Sequence, residues 1–276
     1  MRVRNGIVTR LLHVGGRALV VSAWQRRDGR VVLRAVAVRA EPPPAEALEI
    51  ALERIRFALG VDDDYKEFYE RFRSDRLVGH AVRRRPWLRP RRRPWPWEAL
   101  AWAVTKQLIE SPRAAAIQRR IVRRWGPHVD WHGVSLRDVP DAEVIAGRAP
   151  AELAGMDLSP SRALALVKVA REAASARAEL ADPGCERRLL AIPGIGPWTV
   201  RCLGLYGRGE PDSLPAGDLG FLKLIGRLAR LGRRATADEV EEFFAPYAPF
   251  RGLAGTFILT TYHSIVAQGP PLRLAA

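Results

Sequence analysis

Only two cysteines occur in 276 residues, Cys185 and Cys202. Neither stands in a CxxC or other metal-ligand spacing, which argues against a disulfide framework and for a reducing cytoplasm. Histidine is sparse too: His13, His80, His128, His132 and His263 are scattered singly, so no metal site and no cofactor is expected. No apolar run approaches the roughly 18 residues a membrane span requires, and the N-terminus lacks a signal-peptide core. A soluble cytoplasmic protein without a membrane partner is the expectation. Acids are short against bases, 30 Asp+Glu to 45 Lys+Arg, for a net charge of +15. That balance suits a polyanion, nucleic acid ahead of a membrane surface. The arginine excess, alongside abundant Ala and Pro, is also what a GC-rich genome produces, so charge alone does not decide. An apolar content of 47% in a chain of this length suffices for one large core or two modest ones.

What is present falls into two textures. Residues 1–40 read as strands: Ala18 to Trp24 is β-prone, a polar turn spans residues 26–29, and residues 30–38 partly alternate at period two. A short antiparallel sheet with one packed face follows, stopped by Glu41, Pro42, Pro43 and Pro44. From Ala45 the period turns helical, with Leu48, Leu52, Ile55 and Leu59 ending at Gly60. Val61-Asp62-Asp63-Asp64-Tyr65 opens another helix carrying Phe68, Tyr69 and Phe72. Its three aspartates lack the alternation and terminal glutamate of a calcium loop, so they read as a solvated helix start. Residues 83–97, RRRPWLRPRRRPWPW, hold seven arginines and four prolines without one acid. Proline rules out a regular helix, leaving an extended connector. Its arginines either track a DNA backbone or are solvated on a linker.

Helices dominate the remainder. Residues 97–108 are strongly apolar, residues 114–125 are apolar on one face and basic on the other, and Ser159 offers a cap for a helix bearing Leu166, Val167 and Ala170. Arg162, Lys168 and Arg171 on that helix read as a solvated face. A last helix covers residues 253–265. The chain is organised around residues 189–224, LLAIPGIGPWTVRCLGLYGRGEPDSLPAGDLGFLKL. An apolar helix end breaks at Pro193, Gly194-Ile195-Gly196 makes a tight hairpin, and a helix restarts at Pro197. Proline in a first turn lacks only a donor that would be orphaned there. Ile195 can plug back between the helices. The free N–H groups at the hairpin and the second helix start suit a phosphate oxygen. Twenty-two residues after Gly196 comes Asp218, between turn residues and an apolar helix. As a plain structural residue it is an N-cap, since aspartate is among the preferred capping residues and its charge is favourable at a helix N-terminus.

The pairing of this hairpin with one aspartate at this distance resembles the helix-hairpin-helix (HhH-GPD) DNA glycosylases, and within them the AlkA-like 3-methyladenine DNA glycosylase II group. The likeness extends loosely over residues 47–262. It implies an α+β fold, mainly α: a small antiparallel-sheet N-terminal part in residues 1–90, then a helical glycosylase core in residues 91–276 with the hairpin at 190–200. It implies that Gly194, Ile195, Gly196 and Thr199 meet the DNA. Lys106-Gln107-Leu108-Ile109-Glu110-Ser111 resembles the family's GQxxS-type corner. There Gln107 is a DNA contact, and Leu108 matches an apolar residue that enters the gap left by an extruded nucleotide; otherwise Leu108 is core.

Glycosidic cleavage in a duplex requires the base to be swung out first. The transition state is oxocarbenium-like, so an anion near C1′ stabilises it and can orient water. Asp218 is the candidate for that catalytic role. A lone carboxylate without an acid partner fits a cationic leaving group such as an N-alkylated purine. Bifunctional relatives carry a lysine where this chain has Trp198, which implies a monofunctional enzyme without a lyase step; the relatives' four-cysteine cluster is absent. Trp198, Cys202 and Leu259 fall on the family's base-pocket positions, two of them without the expected aromatic ring. Phe250, Phe257 or Tyr262 are possible replacements. The expected partner is double-stranded DNA containing a damaged base, met by a monomer. Two alternatives stay open: a glycosylase for deaminated or oxidised purines, and a non-catalytic DNA-binding protein that keeps the hairpin as a phosphate clamp.

Overall fold

The computed structural model of the chain describes residues 2–38, 44–175 and 179–268. Of the expected stop at Glu41 to Pro44, residues 41–43 lie outside them, and Pro44 is the N-cap of α1 (Ala45–Leu59). Strands β1 (Arg2–Arg4), β2 (Ile7–Val14), β3 (Arg17–Gln25) and β4 (Val31–Ala37) form an antiparallel meander in sequence order. Two of its turns are Asn5-Gly6 and Gly15-Gly16, and all four residues have positive φ. This is the two-residue hairpin whose twist matches the strands it joins. Register pairs Leu12 with Leu19 and Val21 with Ala35. One face of the sheet packs Val8, Leu12, Val14, Leu19, Val21 and Ala23 on Ala47, Ala51 and Ile55 of α1 (Ala45–Leu59). Gly60 ends α1 at φ 63°, a left-handed cap that glycine adopts without strain.

Then come α2 (Lys66–Phe72), α3 (Val78–Arg84), α4 (Pro96–Lys106) and α5 (Ser111–Trp125). A second hairpin, β5 (His128–Trp131) with β6 (Val134–Arg137), turns at His132-Gly133. Leu136 of β6 packs with Leu11 and Val20 on the other face of the main sheet. The remaining helices are α6 (Ala142–Ala146), α7 (Pro150–Ala154), α8 (Pro160–Ala174), α9 (Glu186–Leu190), α10 (Pro197–Leu203), α11 (Leu219–Leu228), α12 (Ala237–Phe244) and α13 (Arg251–Gln268). No helix among the described residues is long and apolar enough to cross a membrane.

Chain contacts divide the molecule into two units, each made of two segments. One joins Met1–Asp62 to Arg93–Ile195, the other Asp63–Arg92 to Gly196–Ala276. This cuts across the sequential division at residue 90, because α2 and α3 pack with helices near the C-terminus rather than with the sheet. In the first unit, Arg10 of β2 is buried against Glu98 of α4, which also accepts from Trp102 Nε1 at 3.1 Å. Asp138 lies 3.7 Å from the same guanidinium and accepts the His13 N–H at 3.0 Å. Buried charges persist when paired and hydrogen-bonded in this way. The second unit has an aromatic core: Phe68 and Phe72 of α2 stack with Phe250, Phe257 and Tyr247, while Phe221 meets Phe244.

The arginine-rich stretch is less extended than its prolines suggested. Arg83 and Arg84 complete α3. Arg92 forms a 2.7 Å ion pair with Asp63, and Arg89 lies over the Tyr65 ring at 4.9 Å. Asp63 is therefore a structural partner, not a solvated helix start, and Asp62 pairs with Arg56 at 2.6 Å. Trp95 packs beneath Arg54 of α1, whereas Trp87 is exposed.

Candidate functional site

In the second unit Asp218 is the N-cap of α11, φ −65° and ψ 131°, and its Oδ1 accepts the Gly220 N–H at 2.7 Å. Two glycines flank it, and both face pocket candidates. A Cβ on Gly217 would lie 3.6 Å from the Trp198 side chain, and one on Gly220 would lie 3.1 Å from Leu259. Trp198, Asp218 and Leu259 are thus gathered around one helix start, each half-buried. Among the described residues no cation pairs with Asp218, so its carboxylate keeps acceptor capacity toward a ligand. The Trp198 Nε1 is buried and has no hydrogen-bond partner among the described residues. Cys202, one turn beyond Trp198 on α10, is 5% exposed and lines the interior rather than an open surface. Phe257 and Tyr262 are buried core residues, and Phe250 packs on Phe68 and Phe72.

The hairpin resolves into two kinds of residue. Ile195 is buried, as its apolar character predicts, and its N–H closes the turn on the Ile192 carbonyl at 3.0 Å. Thr199 is 1% exposed and its N–H is bonded to the Gly196 carbonyl, so neither group is presented outward for DNA. Gly194 and Gly196 are different. Their N–H groups form no hydrogen bond among the described residues, Gly194 being exposed with φ 89° and Gly196 serving as the α10 N-cap. Backbone donors with this exposure are available to an anion.

In the first unit Gln107 is the C-cap of α4, and Leu108 takes φ 54° with its side chain wholly exposed, at 102%. A branched side chain in the left-handed region is strained, and an exposed leucine there gains no packing in return. Leu108 is therefore not core. Gln107 Nε2 donates to the Gly194 carbonyl at 2.9 Å, tying this corner to the hairpin. Its own carbonyl accepts from Arg162 Nη1 at 2.9 Å. Arg162 is thus not part of a solvated face. Burial, with repulsion from Arg113, holds its guanidinium below the ordinary arginine value.

Residues 101–249 match the family model of the HhH-GPD superfamily base excision DNA repair protein. The chain belongs to that superfamily. It is 27% identical to a Bacillus subtilis protein named DNA-3-methyladenine glycosylase, over 93% of this chain and 86% of the relative. A Mycobacterium tuberculosis protein named probable bifunctional transcriptional activator/DNA repair enzyme AlkA is 30% identical, over 81% of this chain but 45% of the relative. Among solved structures, a 3-methyladenine DNA-glycosylase from Archaeoglobus fulgidus superposes with a TM-score of 0.81 at 24% identity, covering 95% of this chain and 89% of that one. The last of these establishes a shared fold.

Proposed function

We propose that the protein is a monofunctional DNA glycosylase of base excision repair. It hydrolyses the N-glycosidic bond of a flipped-out alkylated purine of the 3-methyladenine type. The observation that carries this reading is Asp218: a half-buried carboxylate fixed by its own helix start, paired with no cation among the described residues, with Trp198 and Leu259 near the same helix start. Such an anion stabilises positive charge developing at C1′ and can orient the attacking water. Fixing it before the reaction removes a reorganisation cost that a mobile side chain would carry. The Gly194 N–H and the Gly196 N–H each donate to the DNA backbone, and Leu108 fills the space vacated by the extruded nucleotide. An alkylated purine already carries positive charge, so its departure needs no acid catalyst. The name of the Bacillus relative favours the same substrate. The enzyme acts on double-stranded DNA as a monomer, without a cofactor.

One observation favours a second reading, in which the lesion is an uncharged deaminated or oxidised purine. Cys202 is buried and Leu259 is aliphatic, so of the three pocket candidates Trp198 alone brings a ring to a cationic base, which weakens cation–π discrimination. A lesion panel decides between them. Duplexes containing 3-methyladenine, 7-methylguanine, hypoxanthine and 8-oxoguanine are incubated with the protein and free bases resolved by chromatography. Release of the two methylated bases alone supports the first reading; release of hypoxanthine or 8-oxoguanine alone supports the second. Borohydride should trap no protein–DNA adduct, because Trp198 provides no amine for a Schiff base; a trapped adduct would refute the monofunctional assignment.

A further inference from the structure

Leu108 poses a mechanical problem that the proposed activity does not solve. An exposed side chain on left-handed backbone has neither packing nor an intrinsic preference to hold it in place. Yet a wedge that lags behind an opening base step does not capture the gap. Something must fix the corner in advance.

The fixing elements lie on α8. Its N-cap Ser159 accepts from Arg162 Nε at 2.8 Å, which orients the guanidinium. From there Nη1 reaches the carbonyl of Gln107, the residue immediately before Leu108, at 2.9 Å. The Gln107 side chain continues the chain of bonds to the Gly194 carbonyl at 2.9 Å. Three residues further along α8, Ala165 is the side chain nearest to Gly194, 3.3 Å from where a Cβ would stand. One helix thus braces both the wedge corner and the hairpin. Arginine suits this because its planar fork donates in two fixed directions, and a charged donor makes the stronger bond.

We infer that Arg162 is a positioning residue, which holds Leu108 in its inserting conformation and in register with the Gly194 hairpin through the Gln107 carbonyl and side-chain amide. The inference rests on the reading of Leu108 as the wedge. Arg162 itself touches no reacting atom. It acts on extrusion of the base, not on cleavage of the bond.

A double-mutant cycle tests this, using wild type, Arg162→Ala, Leu108→Ala and the double variant. The readouts are fluorescence of a 2-aminopurine beside an abasic site, which reports opening without any base release, and equilibrium binding to undamaged duplex. Arg162→Ala is expected to slow opening about tenfold, the scale of one charge-assisted hydrogen bond, with undamaged-duplex binding within about twofold. In the Leu108→Ala background the same substitution should change opening by less than about twofold, because the two residues act as one unit. A full loss in that background would overturn the inference while sparing the wedge. A wild-type opening rate in Arg162→Ala would do the same. A wild-type rate in Leu108→Ala would instead overturn the wedge and the inference together. General destabilisation by Arg162→Ala would appear as a loss that persists unchanged in the double variant.

Discussion

Leu108 and Asp218 both stand at helix termini, one just past the end of α4 and the other at the start of α11, and they sit there on opposite terms. Asp218 obeys every local rule: extended backbone, a carboxylate at a helix N-terminus, and a hydrogen bond to the Gly220 N–H. Leu108 breaks them, with a branched apolar side chain fully exposed at positive φ. The residue proposed for chemistry is stabilised by the fold. The residue proposed for opening the duplex is held against its own preference by neighbours. Placing a charge is something secondary structure does readily. Presenting an apolar wedge to water has a cost, which must be offset elsewhere.

The sharpest break in that contrast comes at Asp218. Replacement by Ala removes cap and carboxylate together, so base release should fall about 10²–10⁴-fold and stability by about 1 kcal/mol. Chemical denaturation alongside single-turnover release checks both. At Leu108 the two effects should separate in the opposite sense. Leu108→Gly relieves a left-handed residue, raising stability by about 0.5–1 kcal/mol, while base release drops about tenfold. A variant that became less stable would show that Leu108 packs on something in solution. Gly194→Ala sits between the two cases. At φ 89° and 3.3 Å from Ala165 it should cost about 1 kcal/mol and weaken binding to damaged and undamaged duplex alike, by a few-fold in a titration.

Acid should expose the smallest difference. The hydrogen bond from Arg113 holds Asp157 below its ordinary value. Burial pushes Asp212 up, but hydrogen bonds from Arg251 and its charge together outweigh that and leave it lowered. A carboxylate depressed in the folded state stabilises fully above its unfolded pKa, about 3.9, and the contribution is lost as pH falls through the folded value. The melting temperature should therefore be flat between about pH 6 and 8 and fall below about pH 4. A fall between pH 6 and 8 would implicate groups other than these carboxylates.

Much of this was legible in the sequence wherever a single short segment carries the whole cause. Gly60 as the end of α1, Ser159 as the α8 cap and the burial of Ile195 follow from local chemistry and reappear in the structure. The helical core and the N-terminal sheet follow from periodicity. The β5–β6 hairpin escaped because its strands are four residues each, too short for a period, although His132-Gly133 flanked by alternating residues was a usable signal. Where the cause lies far along the chain, local reading fails. Asp63 looked solvated because its partner Arg92 is 29 residues away, and Arg162 looked solvated because Gln107 is 55 residues away. The placement of α2 and α3 with the C-terminal helices is of the same kind.

The most direct test of the central claim is to measure base release and DNA affinity together for wild type and Asp218→Asn on duplex carrying 3-methyladenine. Asparagine keeps the cap and the shape while removing the charge. The expected result is release by wild type, loss of release by at least about a hundredfold in the variant, and affinity unchanged or tighter. Release undiminished in Asp218→Asn would contradict the account, because the charge at the start of α11 would then have no part in the reaction.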